Sequence, residues 1–232
     1  MTVDIQKNLH AVLQKMTDAA KRSGRDPKEI RLVAVSKAKP AEAIEEAQKA
    51  GLKIFGENYV QEFLGKYRRL LPFQIQWHFV GHLQRRKVKE VVGKAVLIHS
   101  LDSYPLAHEV EKRAGEKNSV QKCLLEINIA GEGTKTGIAP DEAASLLREI
   151  SLLPHLEVTG LMGLPPPFDD PEKSRPFFVE LRELLKEINV HKGYRKELTE
   201  LSMGMSHDFE VAIEEGATYI RVGTALFGER VK

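Results

Sequence analysis

Residues 31–51 read RLVAVSKAKPAEAIEEAQKAG, and this one stretch holds the repeating unit from which the fold is built. It opens on an apolar, β-branched run suited to a buried strand. It then passes through Lys37 and Pro40 into a segment of helical character that Gly51 brings to a stop.

Outward from this unit the same alternation recurs. Strand-like runs stand at 53–58 (KIFGEN), 76–81 (QWHFVG), 95–102 (AVLIHSLD), 123–130 (CLLEINIA), 156–163 (LEVTGLMG), 200–204 (ELSMG) and 218–224 (TYIRVGT). Between them lie helical segments such as DEAASLLREI and RPFFVELRELLKEI. Pro140 and Pro176 stand near helix starts, and Gly115 and Gly216 near helix ends. Eight strand-then-helix units with no second region of different composition predict an α/β fold, a closed (β/α)8 TIM barrel forming a single domain over 1–232. An open doubly wound sheet is the alternative, but neither FGEN nor RVGT makes its glycine fingerprint. The proline-rich segment at 163–176 reads as a long loop over the strand ends. Ahead of the barrel, Ile5, Leu9, Val12, Leu13 and Met16 fall at helical spacing with charges between them, which predicts an extra docked N-terminal helix and not a signal peptide.

Composition narrows the partner. Lys plus Arg number 35 against 33 Asp plus Glu, a formal charge of +2, so bulk attraction to nucleic acid or membrane is not expected. A small molecule is. The lone Cys123 sits in an apolar run and reads as a buried, inert thiol in a reducing, cytoplasmic setting. No segment is long and apolar enough to span a membrane.

A barrel of this kind carries its chemistry at the carboxyl ends of its strands, with phosphate commonly held after strands seven and eight. The seventh run continues LSMGMSHDFE and offers the Ser202 hydroxyl, Met203, the flexible Gly204 and Ser206 as a cap for the next helix. The eighth continues IRVGTALFGE, where Gly223 permits close backbone approach and Thr224 adds a hydroxyl. Alternation along a strand places Val33, Val35 and Lys37 on one face of the first run, and Tyr219, Arg221 and Gly223 on one face of the last. First and last strands are neighbours in a closed barrel, so Lys37 and Arg221 are expected to meet at the mouth. A desolvated lysine beside another cation deprotonates readily, and its neutral amine forms imines with aldehydes. Lys37 and an anion cradle together specify a ligand with an aldehyde and a phosphate. Pyridoxal 5′-phosphate (PLP) fits, and so does a phosphorylated sugar aldehyde, which keeps a lysine-dependent aldolase in view.

The strings AVSKAKP, FGENYVQE, WHFVGHLQ, IHSLDS, INIAGEGTKTGI, GLMG and LSMGMSHDFEVAIEEGATYIRVGTALFGER closely resemble the pyridoxal phosphate homeostasis protein family, in order from about Arg31 to Arg230. The resemblance implies a barrel like the N-terminal domain of alanine racemase, usually monomeric, that holds PLP as a Schiff base on Lys37. It further implies storage of the cofactor and its delivery to PLP-dependent apo-enzymes, without established turnover. Carried over by motif, Ser202, Met203, Gly223 and Thr224 belong to the cofactor site with the phosphate on Ser202, Gly223 and Thr224. Arg221 faces the pyridine nitrogen and Asn58 lies near the ring. A fixed cation at that nitrogen disfavours a pyridinium and weakens the ring as an electron sink, which suits holding the cofactor better than transamination. A PLP-dependent amino-acid racemase or related enzyme is the alternative. Such racemases carry an additional β-domain, and this sequence ends shortly beyond Thr224, so a complete racemase site is not expected.

Other polar groups read as structural. His78, His82 and His99 lie near the ends of strands three and four without metal-ligand spacing. Lys135 in GTKTG reads as a loop lysine that could reach the mouth, and Arg85, Arg86, Lys87 and Lys89 read as a solvated basic helix surface.

Overall fold

The computed structural model describes residues 3–131, 136–191 and 194–229. Its eight strands, β1 (Arg31–Val35), β2 (Ile54–Glu57), β3 (Gln76–Phe79), β4 (Leu97–Leu101), β5 (Gln121–Ile127), β6 (Leu156–Gly163), β7 (Glu200–Met205) and β8 (Tyr219–Val222), are all parallel and close into a barrel in sequence order. Closure is made by β1 on β8, where Val33 is in register with Arg221. The open-sheet alternative is thereby removed.

Between the strands run α2 (Ala41–Lys49), α3 (Val60–Arg69), α4 (Val88–Val91), α5 (Tyr104–Gly115), α6 (Ala143–Ile150), α7 (Arg175–Val190) and α8 (Phe209–Glu214), and a single turn, α9 (Thr224–Phe227), follows β8. The strand period divides the core in two. Val33, Leu97, Leu124, Met162 and Tyr219 fill the barrel interior. Leu32, Ala34, Ile220 and Val222 alternate with them and pack outward under the helices.

The N-terminal helix α1 (Ile5–Arg22) has a defined place in this ring. Asp4 caps it by accepting from the Lys7 N–H at 2.9 Å. Its apolar face, Ile5, Leu9, Val12 and Met16 with Ala19 and Ala20, is buried, and the helix packs against α2, α8 and α9. Asn8 Nδ2 donates to the Leu226 carbonyl at 3.0 Å, and Arg22 pairs with Glu214 and Glu210. α1 thus takes a place in the outer helical layer beside the one-turn α9.

Strand ends differ from the sequence expectation in two places that matter. β1 stops at Val35, so Lys37 stands on the turn beyond the strand, next to Ala38 in the left-handed region at φ 59°. In β7 the register slips by one residue: Ser202 pairs with Tyr219 but Met205 pairs with Arg221. This β-bulge includes Gly204, whose φ of +85° and close contact with α8 suit glycine; an added Cβ would lie 2.5 Å from Ala212 Cβ.

Among the described residues, no helix is long and apolar enough to cross a membrane. Cys123 is buried, and burial pushes its thiol pKa well above the ordinary range, in keeping with an inert core residue.

Candidate functional site

A cavity of about 390 Å³ opens at the carboxyl ends of the strands. On one side stand Val35, Lys37, Asn58 and Val80 from the ends of β1 to β3; on the other stand Arg221, Gly223 and Thr224 from β8, with Ser206 and His207 after β7. Lys37 and Arg221 line one space, as strand parity and barrel closure predict.

Lys37 is carried by a turn that is bonded on both flanks. The Ser36 N–H donates to the Gly56 carbonyl at 3.0 Å, and the Lys39 N–H closes back on the Ser36 carbonyl at 3.0 Å. Two residues beyond Lys37, the Lys39 ammonium donates to the carbonyls of Phe227, Gly228 and Glu229, tying this turn to the end of α9.

Asn58 follows β2, and its Oδ1 is buried with no hydrogen-bond partner. Its backbone is pressed by the β3 loop so closely that a Cβ on Gly81 would fall 2.2 Å from the Asn58 carbonyl oxygen. A buried acceptor fixed this way on a cavity wall suits a donor supplied by a ligand.

The anion cradle is built differently from the sequence expectation. Ser206 Oγ accepts from the N–H groups of Gly223 at 3.1 Å and Ala225 at 3.3 Å, bringing the loops after β7 and β8 together. Ser206 therefore caps the turn after β8, and not the helix that follows it in sequence, where Asp208 holds the N-cap position. Two hydroxyls, Ser206 and Thr224, and the amides beginning at Gly223 converge on one corner of the cavity. Ser202, expected at the phosphate, is fully buried beneath Arg221: it accepts from Arg221 Nη1 at 2.6 Å and shares a hydrogen bond with His99 Nδ1 at 2.8 Å. Met203, also expected at the site, turns its side chain into the outer core. Beyond the bulge, Met205 and Ser206 line the cavity.

Arg221 is held by Ser202 and by the Gly163 carbonyl, which accepts from Nη2 at 3.0 Å. Burial lowers its pKa to about 10, opposed by Asp208 and Glu126, so it stays a cation at neutral pH. Below it, His78 Nδ1 and His99 Nε2 share a hydrogen bond at 2.9 Å. Burial drives His78 down to about 3, with Arg31 assisting. Burial, His78 and Arg221 drive His99 well below the usual range. Both rings are neutral at pH 7, so the arginine carries the fixed charge of this layer. His82 stays at the rim, 3.5 Å from Asp102. Among the described residues, no group of three His, Cys, Asp or Glu side chains is placed to hold a metal ion. Lys135 lies outside the described residues. In the basic stretch Val88, Val91 and Val92 are buried while Arg85, Arg86 and Lys89 are exposed, as the sequence predicts.

The lining offers groups that suit PLP: an amine for an aldehyde, two hydroxyls for a phosphate, a fixed cation for a pyridine nitrogen and an orphan acceptor for a ring hydroxyl. Comparison with known proteins agrees. The family model described as alanine racemase, N-terminal domain, matches residues 8–231. A protein of Aquifex aeolicus named pyridoxal phosphate homeostasis protein is 50% identical over 224 residues, covering 97% of each chain. One of the same name from Pseudomonas aeruginosa is 41% identical over 227 residues, covering 97% of this chain and 96% of its own. The structure of PipY from Synechococcus elongatus with PLP bound superposes with a TM-score of 0.83 at 36% identity, covering 97% of this chain and all of that one. With its barrel and nearly its whole length shared with these relatives, the chain belongs to the pyridoxal phosphate homeostasis protein family.

Proposed function

We propose that this chain binds PLP in the mouth cavity as a Schiff base on Lys37, and that it serves PLP homeostasis by holding the cofactor and delivering it to PLP-dependent apo-enzymes. The observation that carries the reading is the convergence of Lys37, Arg221 and the Ser206–Gly223–Thr224 corner on one cavity. The relatives' name and the PLP bound to PipY support the ligand's identity.

Attachment needs no redox partner. The neutral Lys37 amine adds to the aldehyde carbon, a C=N bond replaces C=O, and the carbonyl oxygen leaves as water. Arg221 holds its charge toward the ring nitrogen and keeps it unprotonated. The Ser206 and Thr224 hydroxyls hold the phosphate, with Ser206 Oγ oriented by the Gly223 and Ala225 N–H groups from which it accepts. When bound, PLP supplies an electrophilic carbon and a ring that, left unprotonated, is a weak electron sink.

Holding the cofactor suits the wall better than turnover. Among the described lining residues the ionisable groups are Lys37, His207 and Arg221, and the His207 ring is engaged with the Asp169 carbonyl at 2.8 Å. A cytoplasmic monomer is the form we propose; the lone buried cysteine is in keeping with a reducing setting. The test is an absorbance spectrum with added PLP, then borohydride reduction and peptide mass mapping, with Lys37→Ala in parallel. A reducible band with the added mass on Lys37 is expected; a wild type without it overturns the reading. Transfer of bound PLP to an apo-enzyme tests delivery, and loss of α-deuterium from a panel of amino acids would favour a racemase.

A further inference from the structure

Behind the turn that carries Lys37, on the outer side of the barrel, lies a buried charged cluster that no step of cofactor binding uses. Lys66 of α3 is only 6% exposed and Glu57 of β2 is fully buried. The Lys66 ammonium has three hydrogens and three acceptors: the Ser36 carbonyl at 2.7 Å, Glu57 Oε1 at 2.7 Å and Glu62 Oε1 at 2.6 Å. The carboxylates reach back to the same turn. Glu57 Oε1 accepts from the Ser36 hydroxyl at 2.6 Å, and Glu62 Oε1 accepts from the Ala38 N–H at 2.6 Å.

Every one of these bonds to the turn lands on Ser36 or Ala38, the residues on either side of Lys37. Ala38 is in the left-handed region, a conformation that L-residues other than glycine adopt at a penalty of roughly 1 kcal/mol. Such a turn persists where its surroundings determine it. Glu57 also immediately precedes Asn58, so the same cluster anchors a second cavity residue through the chain. A buried ion cluster is a poor source of net stability, since apolar groups of the same volume serve as well or better. Its geometric effect is specific. It fixes the backbone from which the lysine projects, and imine formation depends steeply on where the amine is held.

We propose that Lys66, with Glu57 and Glu62, is the positioning device for Lys37, setting the amine for attack on the aldehyde carbon without touching the cofactor. The proposal rests on the Schiff-base reading above. The bond made is C–N at Lys37, with water leaving; the cluster exchanges no proton with it.

The test compares the full chain with Lys66→Met, Glu62→Gln and Lys66→Arg. Two probes are used: PLP, and pyridoxine 5′-phosphate, in which an alcohol replaces the aldehyde. Lys66→Met and Glu62→Gln are expected to bind pyridoxine 5′-phosphate within about threefold of wild type, while borohydride-trappable adduct on Lys37 forms about tenfold or more slowly. Lys66→Arg, which keeps the charge and the donors, is expected to recover part of the rate. Wild-type adduct rates in both Lys66→Met and Glu62→Gln would overturn the proposal. So would a proportional loss of both probes, which would reduce the cluster to a scaffold. A wild type that forms no adduct would instead strike the Schiff-base reading, and that result needs no variant.

Discussion

Arg221 Nη1 and Ser202 Oγ stand 2.6 Å apart inside the barrel, and this contact separates the two serines of the seventh strand and its loop into different roles. Ser202 supports the arginine; Ser206 lines the cavity.

Ser202→Ala therefore removes the acceptor of a buried, charged hydrogen bond, worth about 1.5–3 kcal/mol. Urea unfolding of the ligand-free protein is expected to show a loss of that order. A change within about 0.5 kcal/mol, the range of an ordinary surface substitution, would contradict the assignment.

Ser206→Ala is expected to act on the ligand's phosphate. PLP affinity should drop by about tenfold, one charge-assisted hydrogen bond, while binding of pyridoxal, which lacks the phosphate, stays near wild type. Equal weakening of both ligands, measured by equilibrium titration, would place Ser206 elsewhere in the site.

The bulge in β7 makes Gly204 a sharp probe. An alanine there meets Ala212 Cβ at 2.5 Å and takes on a positive φ, whereas Gly24 has a φ of +69° with nothing within 4 Å of an added Cβ. Gly204→Ala is expected to lower stability by about 2–4 kcal/mol, and Gly24→Ala by about 1 kcal/mol. Similar melting temperatures for the two variants would argue against the tight contact of β7 with α8.

The two buried histidines set an acid limit. Unfolded, each titrates near 6.5; folded, His78 is lowered to about 3 and His99 well below its usual range. Between those values the unfolded chain binds more protons, so their contribution is fully present above about pH 6.5 and is lost as pH falls, at up to about 1.4 kcal/mol per unit for each. Glu57 and Glu126, raised by burial, act in the opposite direction. Comparing the pH dependence of unfolding for wild type and a His78→Gln, His99→Gln double variant isolates the histidines. An unchanged slope between pH 5.5 and 6.5 would refute the assignment.

The sequence carried the barrel because its strands are short, β-branched and regularly separated by helices, and parity along β1 and β8 correctly placed Val33, Val35, Tyr219 and Arg221 inward. It failed at β7 for a physical reason. A bulge inserts a residue and changes the face of the positions beyond it, so strand alternation could not tell which residues after Ser202 reach the cavity, where Met205 and Ser206 stand. A glycine inside a strand run was the available signal, and Gly204 supplied it. The Lys66 cluster had a weaker one. Glu57 occupies an outward strand position where α3 covers the sheet and an apolar residue is the norm, so a carboxylate there called for a buried cation. The register that pairs Val33 with Arg221 arises only on closure and has no local code.

The docking of α1 against α8 and α9 has a consequence for how the protein is made. Asn8 bonds to Leu226, a separation of 218 positions. As the chain leaves the ribosome, α1 emerges with its apolar stripe uncovered, and α8 and α9, which cover much of it, follow only after β7. Until those two helices emerge, that stripe is available to chaperones or to another nascent chain.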